Sequence, residues 1–375
     1  MLKDIFPGQE KRTVVAEYFS HDYFQARKKF LNAASAADGV VESHLNPNGK
    51  GPEGEALYTD VAVFGDPTLP KVIMIISATH GNEGFCGSGC QVAYLQEGWV
   101  TKRAPDTCVV MVHALNCYGF ANIRRMTEDN ADLNRNFVDH TQPYPDNEGY
   151  RAIHDFLVPQ DWTTQTLKQA NRGLAIYRSE QGPKALQKAI SGGQYSHPQG
   201  VFFGGNKPCW SNTLLRTLVN QYCLDKAHVA LIDFHTGLGP TGYGELILNG
   251  DFDNSYERAQ QWYNNEVTSF QDGSSTSAEL TGMICSAFLD AMPADRLTGI
   301  AVEYGTVDGK EVIYAMRFDN WISQFENPGT ARWQEGKQAM RDALYCDNNE
   351  WKDKVWERAK WVLTHAYQGL ANIKN

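Results

Sequence analysis

Residues 71–79 read KVIMIISAT, a nearly unbroken apolar run in which many side chains are β-branched. Runs of this kind suit a strand that is buried on both faces of a largely parallel sheet. Three segments of the same type follow, TCVVMVHAL at 107–115, HVALIDF at 228–234 and GIAVEYG at 299–305. Helical patterns separate these runs. The alternation predicts an α/β fold with a mixed, mostly parallel central sheet and helices on both faces.

Weaker patterns fill in the remaining elements. ALYTDVAVFG at 56–65 and YGELILNG at 243–250 are typical of strands, whereas HLNPNGKGPEGE at 44–55 is predicted to be a loop because it is rich in Gly, Pro and Asn. Helices are predicted at residues 19–38, 85–97, 164–191, 255–270 and much of 331–371.

The chain shows no internal repeat, low-complexity tract or Pro/Ser-rich linker. We therefore predict a single domain over residues 1–375. Residues 140–227 are long and less regularly patterned, which indicates an elaboration inserted on the α/β core.

Composition excludes several classes of protein. A formal net charge of −10 gives no basic footprint for nucleic acid. No apolar run approaches the roughly 18 residues of a spanning helix, so no membrane partner is expected. The N-terminal residues MLKDIFPGQEKR lack the apolar stretch of a secretory signal, and the eight cysteines form no CxxC pair. These features predict a cytoplasmic protein with reduced thiols.

Four chemically capable residues lie at the ends of the apolar runs or just beyond them. His80 and Glu83 follow the first run, His235 ends another, and Glu303 lies in the last. Ligand sites in open α/β sheets gather at the carboxyl ends of strands. Glycine at position 81 allows the tight turn that would let His80 and Glu83 converge, and a His/Glu/His set is a known ligand type of catalytic zinc. One Zn²⁺ per chain is therefore predicted.

A second motif, DLNRNF at 132–137, lies beyond the second apolar run. Asn134 and Arg135 are suited to hold a carboxylate because a guanidinium offers paired hydrogen bonds. The alternative is that Asp132 caps a helix and Arg135 is a surface residue.

These segments together resemble the zinc carboxypeptidase superfamily, the carboxypeptidase A-like or phosphorylase/hydrolase-like fold. The resemblance is greatest to a bacterial carboxypeptidase-like family described as a domain of unknown function. It is carried by ATHGNEGFCGSGCQ, NCYGFANIRRMTEDNADLNRNF, DFHTGLG and GIAVEYGT, and it extends from about residue 18 to the C-terminus.

The resemblance implies roles for individual residues. His80, Glu83 and His235 are implied zinc ligands, and Glu303 is the implied general base. Asp132 matches the acid that orients the first ligand histidine, and the pair Asn134 and Arg135 matches the group that binds the substrate carboxylate. Arg125, with Arg124 as the alternative, matches the arginine that polarises the scissile carbonyl.

One departure leaves the substrate open. Peptidases of this type carry a mobile tyrosine between the last zinc histidine and the base, and neither Tyr243, Tyr256 nor Tyr263 lies in a matching context. A carboxypeptidase that acts on a peptide C-terminus is the preferred interpretation. A deacylase of acyl-amino acids, like aspartoacylase or succinylglutamate desuccinylase, is the first alternative, and an inactive carboxylate-binding protein is the second.

Three further residues are singled out by the sequence. Asp233 and Glu245 flank the DFHTG motif and either support the site or lie on the surface. His113 ends the second apolar run and is interpreted as a core histidine.

Overall fold

The computed structural model describes residues 14–250 and 254–373. Within these residues the strands, numbered in chain order, are β1 (Val40–Lys50), β2 (Ala56–Phe64), β3 (Lys71–Ile76), β4 (Thr107–His113), β5 (His228–Thr241), β6 (Gly244–Leu248), β7 (Val267–Thr268) and β8 (Leu297–Gly305). The helices are α1 (Tyr23–Ala36), α2 (Gly84–Gln96), α3 (Cys117–Ala121), α4 (Glu148–Leu157), α5 (Thr164–Gln181), α6 (Pro183–Ser191), α7 (Trp210–Tyr222), α8 (Ser255–Trp262), α9 (Cys285–Leu289), α10 (Gly309–Phe325), α11 (Ala331–Leu344) and α12 (Asn349–Asn372).

All eight strands belong to one sheet, in the order β1-β2-β4-β3-β5-β8-β6-β7. The central strands β4, β3, β5 and β8 run parallel to one another. The antiparallel pairs lie toward the two sides, where β1 and β2 extend the sheet from β4, and β6 pairs with β8. The predicted mixed sheet with a parallel centre is therefore confirmed.

Strand β3 shows why the sheet is covered on both faces. Its side chains alternate, so that Ile73 and Ile75 join a core that includes residues of α1, α2 and α12. Val72, Met74 and Ile76 join a second core, which includes residues of α7 and α9. All five side chains are buried. The prediction of helices on both faces is confirmed.

The loop predicted at 44–55 is wrong in its first half, because β1 continues through Lys50. The pairing with β2 is irregular, since Leu45 lies opposite Tyr58 but Lys50 lies opposite Ala56. Proline is tolerated in edge strands and at irregular pairings, and β1 is an edge strand. Only the turn after Lys50 remains as the expected loop.

The predicted helices exist but several are shorter or divided. The 164–191 helix is two helices that meet at Gly182, whose φ of 91° ends α5 before Pro183 begins α6. The predicted 255–270 helix stops at Trp262 and is followed by β7. The C-terminal helical region consists of α11 and α12.

The less patterned segment 140–227 contributes α4 to α7. Tyr150 and Ile153 of α4 share a core with Val312 of α10 and Met340 of α11. The segment therefore packs directly on the helices beside the sheet. Its limits, and the assignment of residues 1–375 to one domain, remain predictions.

No helix in the described ranges has the length and apolar character needed to cross a bilayer. The N-terminal stretch on which the absence of a secretory signal was predicted lies outside those ranges. All eight cysteines are free thiols.

His113 is a core histidine, as predicted. Its ring stacks on Phe30 with a centroid distance of 4.4 Å, and its Nε2 lies 2.9 Å from the hydroxyl of Ser88. Its Nδ1 has no hydrogen-bond partner in the described part of the chain. Burial lowers the pKa of His113 to about 4, because the charged imidazolium loses its hydration.

This burial predicts a specific acid sensitivity. Below the ordinary histidine pKa of about 6.5 the unfolded chain binds a proton that the folded chain does not, so stability falls between about pH 6.5 and 4. The unfolding free energy of the wild type falls between pH 7 and pH 4.5. In His113→Gln this fall is expected to be smaller by about 2 kcal/mol. Urea unfolding at both pH values measures the effect. His21→Gln, at an exposed histidine, is the control, and equal losses in both variants would contradict the assignment.

Candidate metal centre and substrate cavity

The end of β3 turns sharply before it reaches His80. Ala78 has a left-handed φ of 58°, a strained conformation for a residue with a side chain. The turn is held to the end of β4 because Leu115 N donates to Ser77 O at 3.0 Å and Asn116 N donates to Ala78 O at 2.9 Å. The parallel pairing of β3 with β5 places the neighbouring strand's His235 beside this turn.

His80, Glu83 and His235 form one buried cluster. The Nδ1 of His80 lies 2.9 Å from Oε1 of Glu83, and the Nδ1 of His235 lies 3.1 Å from Oε2 of the same carboxylate. The two Nδ1 atoms are 3.2 Å apart. One potential ligand atom from each residue lies within 4.8 Å of the other two, so the three side chains are placed to hold one metal ion.

Gly81 is required here by a close approach of two backbones. A Cβ at this position would lie 2.1 Å from the carbonyl carbon of Gly119, in α3. Gly81 N also donates to Arg125 O at 3.2 Å. The glycine therefore lets the turn that carries His80 and Glu83 pack against the segment that carries Arg125.

Each histidine of the cluster has an acid on its far nitrogen. Asp132 Oδ1 lies 3.2 Å from Nε2 of His80, as the resemblance implied. Asp233 Oδ2 lies 2.5 Å from Nε2 of His235, and its other oxygen accepts the Thr79 hydroxyl at 2.7 Å. The acid on Nε2 of His235 favours a proton there and leaves a free lone pair on Nδ1, which is the atom that faces the cluster. Asp233, whose role the sequence left open, thus supports the site.

The charges of the cluster favour a cation at its centre. Burial alone would raise the pKa of Glu83, but His80 and His235 hold it well below its ordinary value. Burial would lower the pKa of His235, whereas Asp233 and Glu83 raise it well above its ordinary value. The carboxylates that favour a proton on His235 equally favour a divalent ion between the ligand atoms. The donor set therefore fits zinc.

Glu303 lies beside the cluster because β8 pairs with β5 in a register that sets His235 opposite Glu303. Its Oε1 accepts the backbone N–H of Leu238 at 3.0 Å. Burial, reinforced by the charge of Glu83, raises the pKa of Glu303 to about 8. A carboxyl group in this position, buried beside the cluster, is placed to exchange a proton with a group bound there.

The structure separates the two adjacent arginines. Arg125 donates to Asp132 at 2.8 Å and to Glu83 at 3.1 Å, and its Nη2 lies 2.7 Å from Nε2 of His80. Arg124 instead donates through Nε to Asp319 at 3.2 Å. Arg125 lines the cavity of the cluster and Arg124 does not. The geometry therefore places Arg125 at the site and leaves Arg124, the alternative, in a buried ion pair with Asp319.

The backbone of Arg124 still has a structural link to the site. Its carbonyl accepts the N–H of Asn82 at 2.9 Å, inside the turn between His80 and Glu83. Asp319, the ion-pair partner of the Arg124 side chain, also accepts a hydrogen bond from Lys337 Nζ at 2.6 Å. This ion pair thereby connects α10 and α11 to the turn that carries the cluster.

Asn134 and Arg135 both line the same cavity. Asn134 Oδ1 accepts the N–H of Ile284 at 2.9 Å, so its amide NH₂ remains as the donor for a ligand. Arg135 donates twice to Ser191 O and once to Asn134 O. Two of the five N–H groups of a guanidinium are then left for a ligand. Burial lowers the pKa of Arg135 to about 10, so its charge persists at neutral pH.

Asp132 also caps a helical turn, as the alternative interpretation of the DLNRNF motif predicted. Its side chain accepts the backbone N–H of Asn134 at 3.0 Å and so caps the short helical turn of residues 133–135. Arg135, however, is buried and is not a surface residue. The cap fixes the loop that carries both Asn134 and Arg135.

Phe202 lies between two arginines of the cavity. Its ring centroid is 5.1 Å from the guanidinium carbon of Arg125 and 5.8 Å from that of Arg135. It holds a left-handed φ of 54°, which is strained for a bulky residue. Phe202 belongs to the 140–227 segment, so this segment contributes to the wall of the site.

The cavity has a volume of about 420 Å³, and its lining is mainly apolar. No tyrosine is among its lining residues in the described chain. Tyr243 is half exposed, and Tyr263 is buried in the core of α8 and α12. Glu245 also stays outside the cavity, where it accepts from Thr268 at 2.6 Å.

The fold and the cluster together define an α/β protein with a parallel sheet centre and a His/Glu/His set that can hold a metal ion. The chain belongs to the family described as "Protein of unknown function (DUF2817)", which it matches over residues 19–358. This membership confirms the family to which the sequence shows its greatest resemblance.

The sequence has no significant match among curated proteins. Solved structures to which the chain is similar include carboxypeptidase A from Helicoverpa armigera (13% identity, 91% of this chain and 73% of that one, TM-score 0.46). A metallo-carboxypeptidase from Burkholderia cenocepacia (12% identity, 93% and 70%, TM-score 0.43) is another. An aspartoacylase family protein from Mesorhizobium loti (16% identity, 78% and 69%, TM-score 0.37) is a third.

Proposed function

We propose that this protein is a zinc-dependent hydrolase that cleaves an amide bond next to a free carboxylate, at the C-terminus of a peptide. The observation that carries the proposal is the convergence on one cavity of three kinds of group. These are a His/Glu/His cluster, a buried glutamate with a raised pKa, and arginines with N–H groups left for a ligand.

The residues divide the chemical work among themselves. His80, Glu83 and His235 would hold the zinc ion, which when bound supplies Lewis acidity and activates a water molecule at neutral pH. Glu303 takes a proton from the attacking water and returns it to the leaving amine. Arg125 lies beside the cluster and stabilises the negative charge that develops on the carbonyl oxygen.

Asn134 and Arg135 orient the substrate by its carboxylate. The amide NH₂ of Asn134 and the two remaining N–H groups of Arg135 can donate to its oxygens. A charged pair in a buried cavity is stronger than one in water, and it holds the scissile bond against the metal and the base.

A second candidate is a deacylase that acts on small acyl-amino acids. It is favoured by the cavity lining, in which the described chain provides no tyrosine of the kind that peptidases of this fold carry. Both candidates require the same cluster, base and carboxylate site. A screen of zinc-loaded protein against matched peptides and acyl-amino acids distinguishes them, and zinc binding without any turnover would favour a carboxylate-binding protein instead.

Removal of the Arg135 guanidinium tests the carboxylate requirement. Losing a charged hydrogen-bond partner costs roughly 1.5–3 kcal/mol, so Arg135→Ala is expected to lower kcat/KM toward the free acid by about one to two decades. The matched C-terminal amide has no carboxylate for Arg135 to bind. With the amide, the kcat/KM of the variant should therefore be close to that of the wild type. The measurement is kcat/KM for both enzymes on both compounds.

Arg172→Ala provides the matched control, because Arg172 is an exposed arginine of α5 that does not line the cavity. Its kinetics should equal those of the wild type. Equal hydrolysis of acid and amide by the wild type would show that the cavity does not select for a carboxylate.

A further inference from the structure

Phe202 is a residue of the cavity wall whose ring faces two cations. The described lining contains two phenylalanines, Phe202 and Phe270, and the guanidinium contacts belong to Phe202. The guanidinium carbons of Arg125 and Arg135 lie over its ring at 5.1 and 5.8 Å, within the roughly 6 Å at which an aromatic face attracts a cation. One ring therefore contacts both arginines to which the proposed function gives a role with the substrate.

The backbone holds Phe202 in an unfavourable conformation. A left-handed φ of 54° is strained for a bulky side chain, and such strain persists only where the surrounding structure enforces it. Gln194 N donates to Phe202 O at 3.2 Å, which closes the loop that carries the ring. Asp132 N donates to Phe203 O at 2.7 Å, which ties this loop to the DLNRNF motif. The fold thus keeps the ring beside the arginines despite the strain.

Packing explains only part of this placement. Phe202 is buried and shares a core with Tyr150 of α4 and Val312 of α10. A core position tolerates another apolar side chain of similar volume, such as leucine, with little loss of stability. Burial therefore requires an apolar residue at position 202, whereas the contact with the two guanidinium groups requires an aromatic one.

A ring can hold a guanidinium group without occupying its hydrogen-bond donors. Arg125 and Arg135 each direct three of their five N–H groups to neighbouring protein atoms, so each keeps two for a ligand. A hydrogen-bond acceptor at position 202 would compete for these remaining groups. The face of Phe202 attracts the cations through its quadrupole and leaves the N–H groups free.

The ring also offsets the unfavourable electrostatics of two neighbouring cations. Burial lowers the pKa of Arg135 to about 10, and the charge of Arg125 acts in the same direction, whereas Asp132 opposes both. Attraction between a cation and an aromatic face is strongest where water is excluded. Phe202 is therefore placed to stabilise both charges in the buried cavity.

We propose that Phe202 is a positioning residue, whose ring holds Arg125 beside the metal cluster and Arg135 beside the substrate carboxylate while leaving their free N–H groups to the substrate. The inference rests on the proposed function and adds one residue to it. Because Phe202 belongs to the 140–227 segment, the inference also gives that segment a part in the reaction.

The test replaces Phe202 site-specifically with mono-, tri- and pentafluorophenylalanine. Ring fluorines withdraw electron density from the aromatic face and weaken its attraction for a cation, while the side chain keeps nearly the same size. For the zinc-loaded protein, kcat/KM toward acetylglycyl-leucine is expected to fall stepwise with the number of fluorines, by about 2- to 30-fold in total. Phe202→Leu, which keeps an apolar side chain without the aromatic face, should resemble the pentafluoro variant.

Matched comparisons assign the effect to the two arginines. The C-terminal amide of the same compound has no carboxylate for Arg135 to bind, so fluorination should raise its KM less than that of the acid. The kcat should fall for both compounds, because Arg125 acts on the carbonyl oxygen. The same fluorinated residues at Phe325, an exposed phenylalanine of α10 outside the cavity, should leave both constants at wild-type values.

A binding measurement separates this inference from the proposed function. The calorimetric affinity of acetylglycyl-leucine for zinc-loaded Glu303→Gln should weaken along the same fluorine series, and this readout needs no turnover. Kinetic and binding constants that do not change along the series would overturn the inference and leave Phe202 as a packing residue. Weakened binding along the series, with no turnover by the wild type, would count against the hydrolase and leave the positioning role of Phe202 standing. A wild type that neither binds nor hydrolyses the compound would overturn both proposals.

Discussion

Glu303→Gln is expected to lower kcat by about 10²- to 10⁴-fold while zinc stays bound, because the substitution removes the proton acceptor and keeps the size and shape of the side chain. A glutamine carbonyl can still accept the N–H of Leu238, which now bonds to the glutamate at 3.0 Å. Glu303 is not one of the three clustered ligand residues, so metal content should remain at about one zinc per chain. Turnover and metal content are measured on the same preparation.

The control is Glu311→Gln, at an exposed glutamate in the first turn of α10. It changes the charge of the chain equally and should leave kcat unaltered. A Glu303→Gln enzyme with near-normal turnover would show that the buried carboxyl is structural. Loss of zinc from that variant would show instead that Glu303 is a ligand.

His235→Ala is expected to remove most of the zinc and with it the hydrolysis. The variant leaves two ligand side chains, His80 and Glu83, where catalytic zinc sites use three. It also leaves Asp233 buried with an oxygen that has lost its imidazole partner, which now lies at 2.5 Å. The zinc content, measured after gel filtration, should fall from about one zinc per chain to near none.

A graded companion is Asp233→Asn, which keeps the size of the side chain but weakens its hold on His235. Loss of such an outer partner lowers metal affinity by about 10- to 100-fold, so this variant should bind zinc more weakly without losing it. His21→Ala, at an exposed histidine, is the control for both variants. Full zinc occupancy in His235→Ala would remove that residue from the ligand set.

The strands and the residues of the His/Glu/His cluster follow from the sequence because each has a local signature. Continuous apolar runs identify β3, β4, β5 and β8, and the position of His80 and His235 at their ends predicts that these side chains meet. The structure brings them together with Glu83 and places Glu303 alongside. Because β3, β5 and β8 pair in parallel, residues at the ends of separate apolar runs come together at one edge of the sheet.

Other features depend on contacts that no local pattern encodes. Arg124 and Arg125 are neighbours in the chain, and what separates them is a partner on α10, Asp319, nearly 200 positions away. Asp233 has the same sequence signal whether it faces His235 or solvent. The sequence does not predict the strand at 40–50, because its irregular pairing with β2 accommodates Pro and Gly residues that ordinarily indicate a loop.

The pairing of β3 with β5 also bears on when the proposed metal site can form. His80 and His235 are 155 positions apart, and the hydrogen bonds between their strands bring the two imidazoles together. During synthesis, the ribosome releases the first histidine long before the second. An emerging chain therefore has no complete His/Glu/His cluster, and a metal ion at the proposed site would bind only after the sheet has formed.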